Sequence, residues 1–423
     1  MSDINITKRQ RSYTLFLLVL VFTSSHVDRQ IVAILQEPIK AAFDISDTQL
    51  GLLTGVMFAL FYATLGMPMA MWADRRNRRN LIAFSITLWS AMTAICGAAQ
   101  QFWQLLIARI GVGVGEAGSN PPSHSIISDL YPASERGTAM AIFGIGVNLG
   151  VMLGYLIGGW VNEWLDWRWA FVVAGVPGLL IALIVRFSMI EPPRGYADGI
   201  TEKPPAPPFW DVVRYMAGNT TLRHLIGGNI LVSFAGYAAI AWAPVYFQRV
   251  HGMSTGESGT WLAIGIGLGG GIGTFMGGYL ADRWAKFNEG WRAWIITLST
   301  AIYVPPAIFG YLAESPTAAL LWFMAPAALG GVYIGTSFAI LQSNLPIQMR
   351  SVGAAINLFL LNIIGLGLGP LVVGIISDIM QPTAGIDSIR YGLLFTVVIM
   401  AWGALHYFRV GQLLAAQPKE SIA

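Results

Sequence analysis

Long apolar runs alternate with short polar breaks along nearly the whole chain. Crossing a hydrocarbon core of about 30 Å takes roughly 20 helical residues. Twelve runs reach that length, at 13–36, 48–73, 80–99, 102–129, 136–162, 168–188, 222–248, 258–281, 291–312, 317–343, 349–377 and 391–410. The pattern predicts an all-α membrane protein with twelve transmembrane helices. Lys8, Arg9 and Arg11 precede the first run, as in a signal peptide. That run is too long for one and has no small-residue cleavage site, so it is expected to persist as a helix.

One break is unlike the others. From Glu191 to Asp211 the chain is polar and proline-rich, with Glu191-Pro-Pro-Arg194 followed by Lys203-Pro-Pro-Ala-Pro-Pro208. Proline-rich segments act as semi-rigid spacers. The expected organisation is a cytoplasmic segment 1–12, a six-helix bundle 13–189, a linker 190–221, a second six-helix bundle 222–412 and a tail 413–423.

The halves share a motif. Ala70-Met-Trp-Ala-Asp74-Arg75-Arg76-Asn77-Arg78-Arg79 closes one apolar run and Gly278-Tyr279-Leu280-Ala281-Asp282-Arg283 closes another. The aspartates are 208 residues apart in a chain of 423. In a membrane protein, a repeat at half the chain length points to two pseudo-symmetric bundles and to transport by movement of one against the other.

Composition supports this. Charged residues make up 11% of the chain, against roughly 25% in soluble domains. The 48 glycines suit close helix packing in lipid, as in Gly150-x3-Gly154-x3-Gly158-Gly159, Gly365-x3-Gly369-Pro370 and the run Gly265–Gly273. That run lies inside an apolar span and follows no strand, which excludes a dinucleotide loop. The single Cys96 excludes a disulfide framework and a cysteine metal centre, and no metal site or cofactor is expected. A net charge of +3 does not suggest a nucleic-acid partner. Nineteen lysines and arginines fall on one set of loops and four (Lys40, Arg168, Arg249 and Arg390) on the other, which places both termini in the cytoplasm. The expected location is a cell membrane, the inner one in a bacterium.

Four charges lie well inside spans: Asp28 and Arg29 in the first, Arg109 and Glu116 in the fourth. Buried charges in a bilayer are costly and usually face a cavity or a partner. Asp28 lies ~24 Å along the outward-running first span and Arg109 ~10 Å along the inward-running fourth, so both fall in the outer half, at depths that support their pairing. Glu116 follows Arg109 by about two turns on the same face. A static ion-pair network that fixes helix register is one reading. The other is proton coupling, because a carboxylate that takes a proton releases its arginine. His26, Ser119 and Asn120 are polar neighbours. The second half offers only neutral groups (Asn229, Gln342, Asn344, Asn357 and Asn362), with Asn357 the cavity candidate. A cavity charged on one wall and apolar on the other suits a polar head with an oily tail. His124-x4-Asp129 has the spacing of a glycerolipid acyltransferase motif but no companion motif, so no enzyme is expected.

These residues resemble the major facilitator superfamily. Asp74-Arg75-x-Asn77-Arg78-Arg79 resembles its loop motif, with Asn77 where glycine is usual. Arg109-x-Gly111-x-Gly113-x-Gly115 resembles its span-four motif, and Gly150-x3-Gly154-Tyr155-x2-Gly158-Gly159 its span-five motif, with Tyr155 in place of proline. Val27-Asp28-Arg29-Gln30-x-Val32-Ala33 and Gly113-Val-Gly-Glu116-Ala117 are similar to the spinster family. That resemblance implies the major facilitator fold and proton-coupled transport of a sphingolipid-like or lysophospholipid substrate by alternating access. Anion–cation symporters share an Asp-Arg pair in span one, so a small organic anion is the alternative. The resemblance implies proton-responsive roles for Asp28 and Glu116, and counter-ion or headgroup roles for Arg29 and Arg109. It makes Asp74, Arg75 and Arg79, with Asp282 and Arg283, latches of a cytoplasmic gate. The implied partners are the amphiphilic substrate, protons and the bilayer. The gradient is the energy source and the chain a monomer.

Overall fold

The computed structural model describes residues 6–197 and 208–416, apart from the side chain of Asp74. Pro204, Pro205 and Pro207 of the linker, Lys203 and the end of the tail lie outside that range. All regular structure among the described residues is helical. Ten helical stretches are long and apolar enough to cross a membrane. The last of them, Ile347–Ala415, holds two long helices that separate where Gly385 takes a positive φ of 56°.

The expected fourth span is not one helix. It breaks into Phe102–Glu116 and Asn120–Leu130. Pro121 and Pro122 supply no backbone N–H to continue the ladder, so the second piece starts afresh with proline in its first turn. Counted with this broken traversal, the expected twelve runs all find helical counterparts. The linker carries an unforeseen short helix, Phe209–Gly218, which buries Val212 and Met216 one turn apart.

The chain divides into two compact units, and the division does not fall only at the linker. One comprises Met1–Phe43, Met57–Lys203 and Thr255–Ala263, the other Asp44–Val56, Pro204–Ser254 and Ile264–Ala423. Span two therefore begins in the second unit and ends in the first, and span eight does the reverse. Each crossing coincides with a π-helical stretch, Leu52–Val56 in span two and Ala263–Gly269 in span eight. A π turn inserts an extra residue into the helical ladder and is a common site of bending.

In the first unit Lys8–Ile34 packs along Ala133–Trp164. Gly150 permits this approach, since a Cβ there would stand 2.5 Å from both the Thr23 carbonyl oxygen and the His26 Cβ. Thr255–Leu262 lies on the far end of the same helix. There the Gly256 N–H donates to Glu163 Oε2 at 2.9 Å, Asn162 Nδ2 donates to Thr255 Oγ1 at 3.0 Å, and Trp160 Nε1 donates to Thr260 Oγ1 at 3.0 Å.

In the second unit Asp47–Gly51 lies against Gly369–Ala384. The Asp378 carboxylate accepts the N–H groups of Asp47 and Thr48 at 3.0 and 2.8 Å, which satisfies donors at the start of that helix. Asp47 itself is buried and takes a bidentate pair from Arg249, at 2.6 and 2.8 Å, with a third bond from the Ser377 hydroxyl at 2.6 Å. Arg249, expected in a polar outer loop, therefore lies within the helical stretch Thr220–Val250 and is engaged in an ion pair.

Candidate functional site

The four intramembrane charges converge in the first unit. Arg29 donates from Nε and Nη2 to a single oxygen of Glu116, Oε2, at 2.8 and 2.6 Å. The other oxygen, Oε1, is buried with no hydrogen-bond partner among the described residues. The Arg29 guanidinium also lies 4.8 Å from the ring centre of Phe58 and 4.7 Å from that of Tyr62. Those two rings stack at 5.4 Å, one turn apart on Met57–Arg75. Stacked aromatic faces hold a guanidinium by cation–π attraction, which strengthens when water is excluded.

Arg109 is placed differently from the expectation. Its Nη1 donates to the backbone carbonyl of Asp28 at 3.3 Å, and its guanidinium lies 5.4 Å from the Phe58 ring centre. It makes no hydrogen bond to the Asp28 carboxylate. Both oxygens of that carboxylate are buried without a hydrogen-bond partner among the described residues. Asp28 still lies within electrostatic reach of Arg29, Arg109 and Glu116. The backbone contact with Asp28 and the stacking on Phe58 hold Arg109 instead. The four groups thus form one hydrogen-bonded ion pair, not two. Side-chain exposure singles out Arg29, at 15% against 1% for its partner Glu116.

The neighbours are mostly committed locally. His26 Nδ1 lies 2.9 Å from its own helix's Phe22 carbonyl, and the Ser119 hydroxyl donates to the Glu116 carbonyl at 3.0 Å across the helix break. Asn120 is half-buried and its Oδ1 has no partner among the described residues. Asn357 already has a local partner. It is buried in the second unit, where its Oδ1 accepts from Asn229 Nδ2 at 3.1 Å. Tyr407 donates to Asn229 Oδ1 at 2.5 Å, which leaves the Ser337 hydroxyl to donate to Tyr407 at 2.7 Å.

The two loop motifs also differ. In the first, the buried residue is Arg78, which sequence reading passed over. Its guanidinium pairs with Asp129, binds Glu191 Oε1 at 2.8 Å and Ser125 Oγ at 2.9 Å, and reaches the Pro192 carbonyl at 2.7 Å. Arg79 donates its N–H to Glu191 Oε2 at 2.8 Å and a guanidinium N–H to the Met189 carbonyl at 3.2 Å, while Arg75 is exposed. Asp129 also accepts the Gly195 N–H at 2.9 Å, which gives the acyltransferase-like spacing a structural explanation. His124 is exposed, with its ring edge-on to Phe143. In the second motif Asp282 is exposed and meets Arg292 at 3.3 Å, and Arg283 is exposed. Nothing in the sequence singles out Arg78, because only the fold brings Asp129 and Glu191 to it.

Residues 15–370 match the family described as Major Facilitator Superfamily, and the chain belongs to it. It is a multi-pass membrane transporter and not an enzyme, and it resembles the spinster branch. It is 31% identical to an MFS-type efflux pump of Mycolicibacterium smegmatis over 92% of this chain and 90% of that one. It is 28% identical to protein spinster homolog 1 of Rattus norvegicus over 93% of this chain and 79% of that one. The crystal structure of a bacterial homolog to the human lysosomal transporter Spinster, inward-facing and unoccupied, is 30% identical to it. That structure superposes with a TM-score of 0.84 over 96% of this chain and 98% of that one.

Proposed function

We propose that this chain is a proton-coupled secondary active transporter of an amphiphilic lipid, lysophospholipid or sphingoid-like, that works by alternating access. The observation that carries the reading is the Arg29–Glu116 pair, in which one carboxylate oxygen holds the partly exposed Arg29 side chain and the other has no hydrogen-bond partner among the described residues. A proton on Glu116 cancels its charge and frees Arg29 for an anionic headgroup. A bound headgroup in turn favours the protonated acid. Asp28, whose carboxylate is buried with no hydrogen bond among the described residues and lies within electrostatic reach of Arg29, Arg109 and Glu116, is the second group suited to take up and release a proton.

The substrate class is supported by the first unit's cluster of two arginines and two carboxylates, which suits a charged headgroup. The second unit holds its buried Asp47–Arg249 pair at the start of span two and a neutral amide–phenol network elsewhere. The amphiphilic class is in keeping with the spinster resemblance. In this reading Asp74, Arg75 and Arg79 latch a cytoplasmic gate, Asp282 and Arg283 do so more weakly, both termini are cytoplasmic and the monomer suffices.

The test is uptake into proteoliposomes under an imposed pH gradient, with lysophospholipids of one headgroup and increasing acyl length. Each buried CH₂ is worth about 0.8 kcal/mol, so affinity should climb with length until the site is filled. Gradient-driven uptake with that dependence supports the reading. Tight binding of a short, tail-less anion together with indifference to acyl length rejects it in favour of a small organic anion.

A further inference from the structure

Five histidines occur in the chain, and two of them face each other. His224 lies in the second turn of Thr220–Val245 and His406 in Ser388–Ala415, and their Nδ1 atoms are 3.2 Å apart. Both rings are half-buried. Gly227, one turn on from His224, makes room for the second ring, since a Cβ there would stand 3.0 Å from the His406 Nδ1 and Cε1 atoms. The ring centres are 5.1 Å apart with the planes inclined by 49°. That is closer than two rings aimed head-on through nitrogens at this distance would allow, so the two lone pairs are angled and not collinear.

We propose that His224 and His406 form a binding site for a divalent transition-metal cation of the Zn²⁺ or Cu²⁺ class. Imidazole nitrogens bind zinc at about 2.0–2.1 Å. Two such bonds to atoms 3.2 Å apart enclose an angle of about 100–106° at the metal, close to tetrahedral. The pair is therefore already at the bite that a metal requires, without movement of either helix. In the metal-free protein one Nδ1 carries a proton and donates it to the other. Metal binding needs both lone pairs, so that proton moves to the Nε2 of the same ring and both rings stay neutral. No third His, Cys, Asp or Glu completes a cluster among the described residues. Water fills the remaining positions, so binding is weaker than at a structural zinc centre with four protein ligands. A bound ion would staple the helix of span seven to that of span twelve at one end of the second unit.

The test uses the full chain, purified in detergent through a tag free of histidine. Cu²⁺ is titrated in and read by electron paramagnetic resonance, and Zn²⁺ is titrated against a fluorescent chelator. The expected result is one tight ion per chain, with two imidazole nitrogens in the Cu²⁺ spectrum. His224→Ala and His406→Ala should each weaken binding at least tenfold and reduce the spectrum to one nitrogen, whereas His124→Ala should change neither. The spectrum of the unaltered chain tests the site directly, so a variant that fails to fold does not decide the matter. Binding only at millimolar metal, or a two-nitrogen spectrum that survives both substitutions, would leave the pair as a shared hydrogen bond and overturn the proposal.

Discussion

Two polar clusters, one in each unit, are built in opposite ways. The second unit's network is closed: Asn229, Asn357, Tyr407 and Ser337 hand hydrogen bonds from one to the next, each within 3.1 Å. The first unit's cluster is open: it buries formal charge and leaves both Asp28 oxygens, Glu116 Oε1 and Arg109 Nε without hydrogen bonds among the described residues. A satisfied network holds one arrangement and resists change. A partly satisfied one carries an energetic cost that a proton or an anion could relieve. In the loops the contrast is reversed: Arg78 of the first unit is wrapped by acceptors, whereas Asp282 of the second meets its arginine in an exposed pair.

The contrast breaks most sharply at Glu116. Glu116→Gln keeps the shape and removes the charge, so transport in proteoliposomes should lose its response to an imposed pH gradient, with a drop of at least a hundredfold in gradient-driven uptake. Retained gradient dependence in that variant would remove the functional half of the comparison. Next in size is Arg78→Gln. It removes a buried guanidinium from two half-buried carboxylates and should cost about 1.5–3 kcal/mol, visible as a fall in the detergent melting temperature. Tyr407→Phe should cost about 1–2 kcal/mol, since it leaves Asn229 Oδ1 without its phenol donor, and should leave the pH response of transport intact. A change in that pH response would mean that the closed network also takes part in coupling. The smallest effect belongs to Arg292→Gln, which breaks the exposed pair to Asp282. Melting should shift by no more than about 1 kcal/mol-equivalent and less still in high salt.

Much of this was readable from residues alone, and the failures have physical reasons. Span positions follow from apolar run length, a property of the chain with no tertiary input. The four charges stood out because charge in an apolar run is rare whatever the fold. Their pairing did not follow, because depth along a helix fixes height and says nothing about azimuth. Arg109 therefore reached the Asp28 carbonyl instead of its side chain. Arg78 was hidden among four arginines in one loop, and only the return of the chain at Glu191 and Pro192 distinguishes it. Asp47 and Arg249 lie at the ends of runs, where sequence cannot separate a solvated end from a buried ion pair. The break in span four was signalled by Pro121-Pro122, but the apolar run continues through it and masked the stop.

The exchange of segments between units has a consequence for synthesis. The first unit includes Thr255–Ala263, which follows its other residues in the chain by more than fifty positions. A ribosome adding about 5–20 residues per second reaches Ala263 roughly 3–12 s after Lys203. Through that interval the glycine-lined end of Ala133–Trp164 waits without its cover, and Glu163 without the Gly256 N–H it accepts. Nascent chains halted before and after Ala263 should differ in protease sensitivity near Trp160, and a gene cut at the linker should yield an N-terminal fragment that matures only when the other fragment is made beside it.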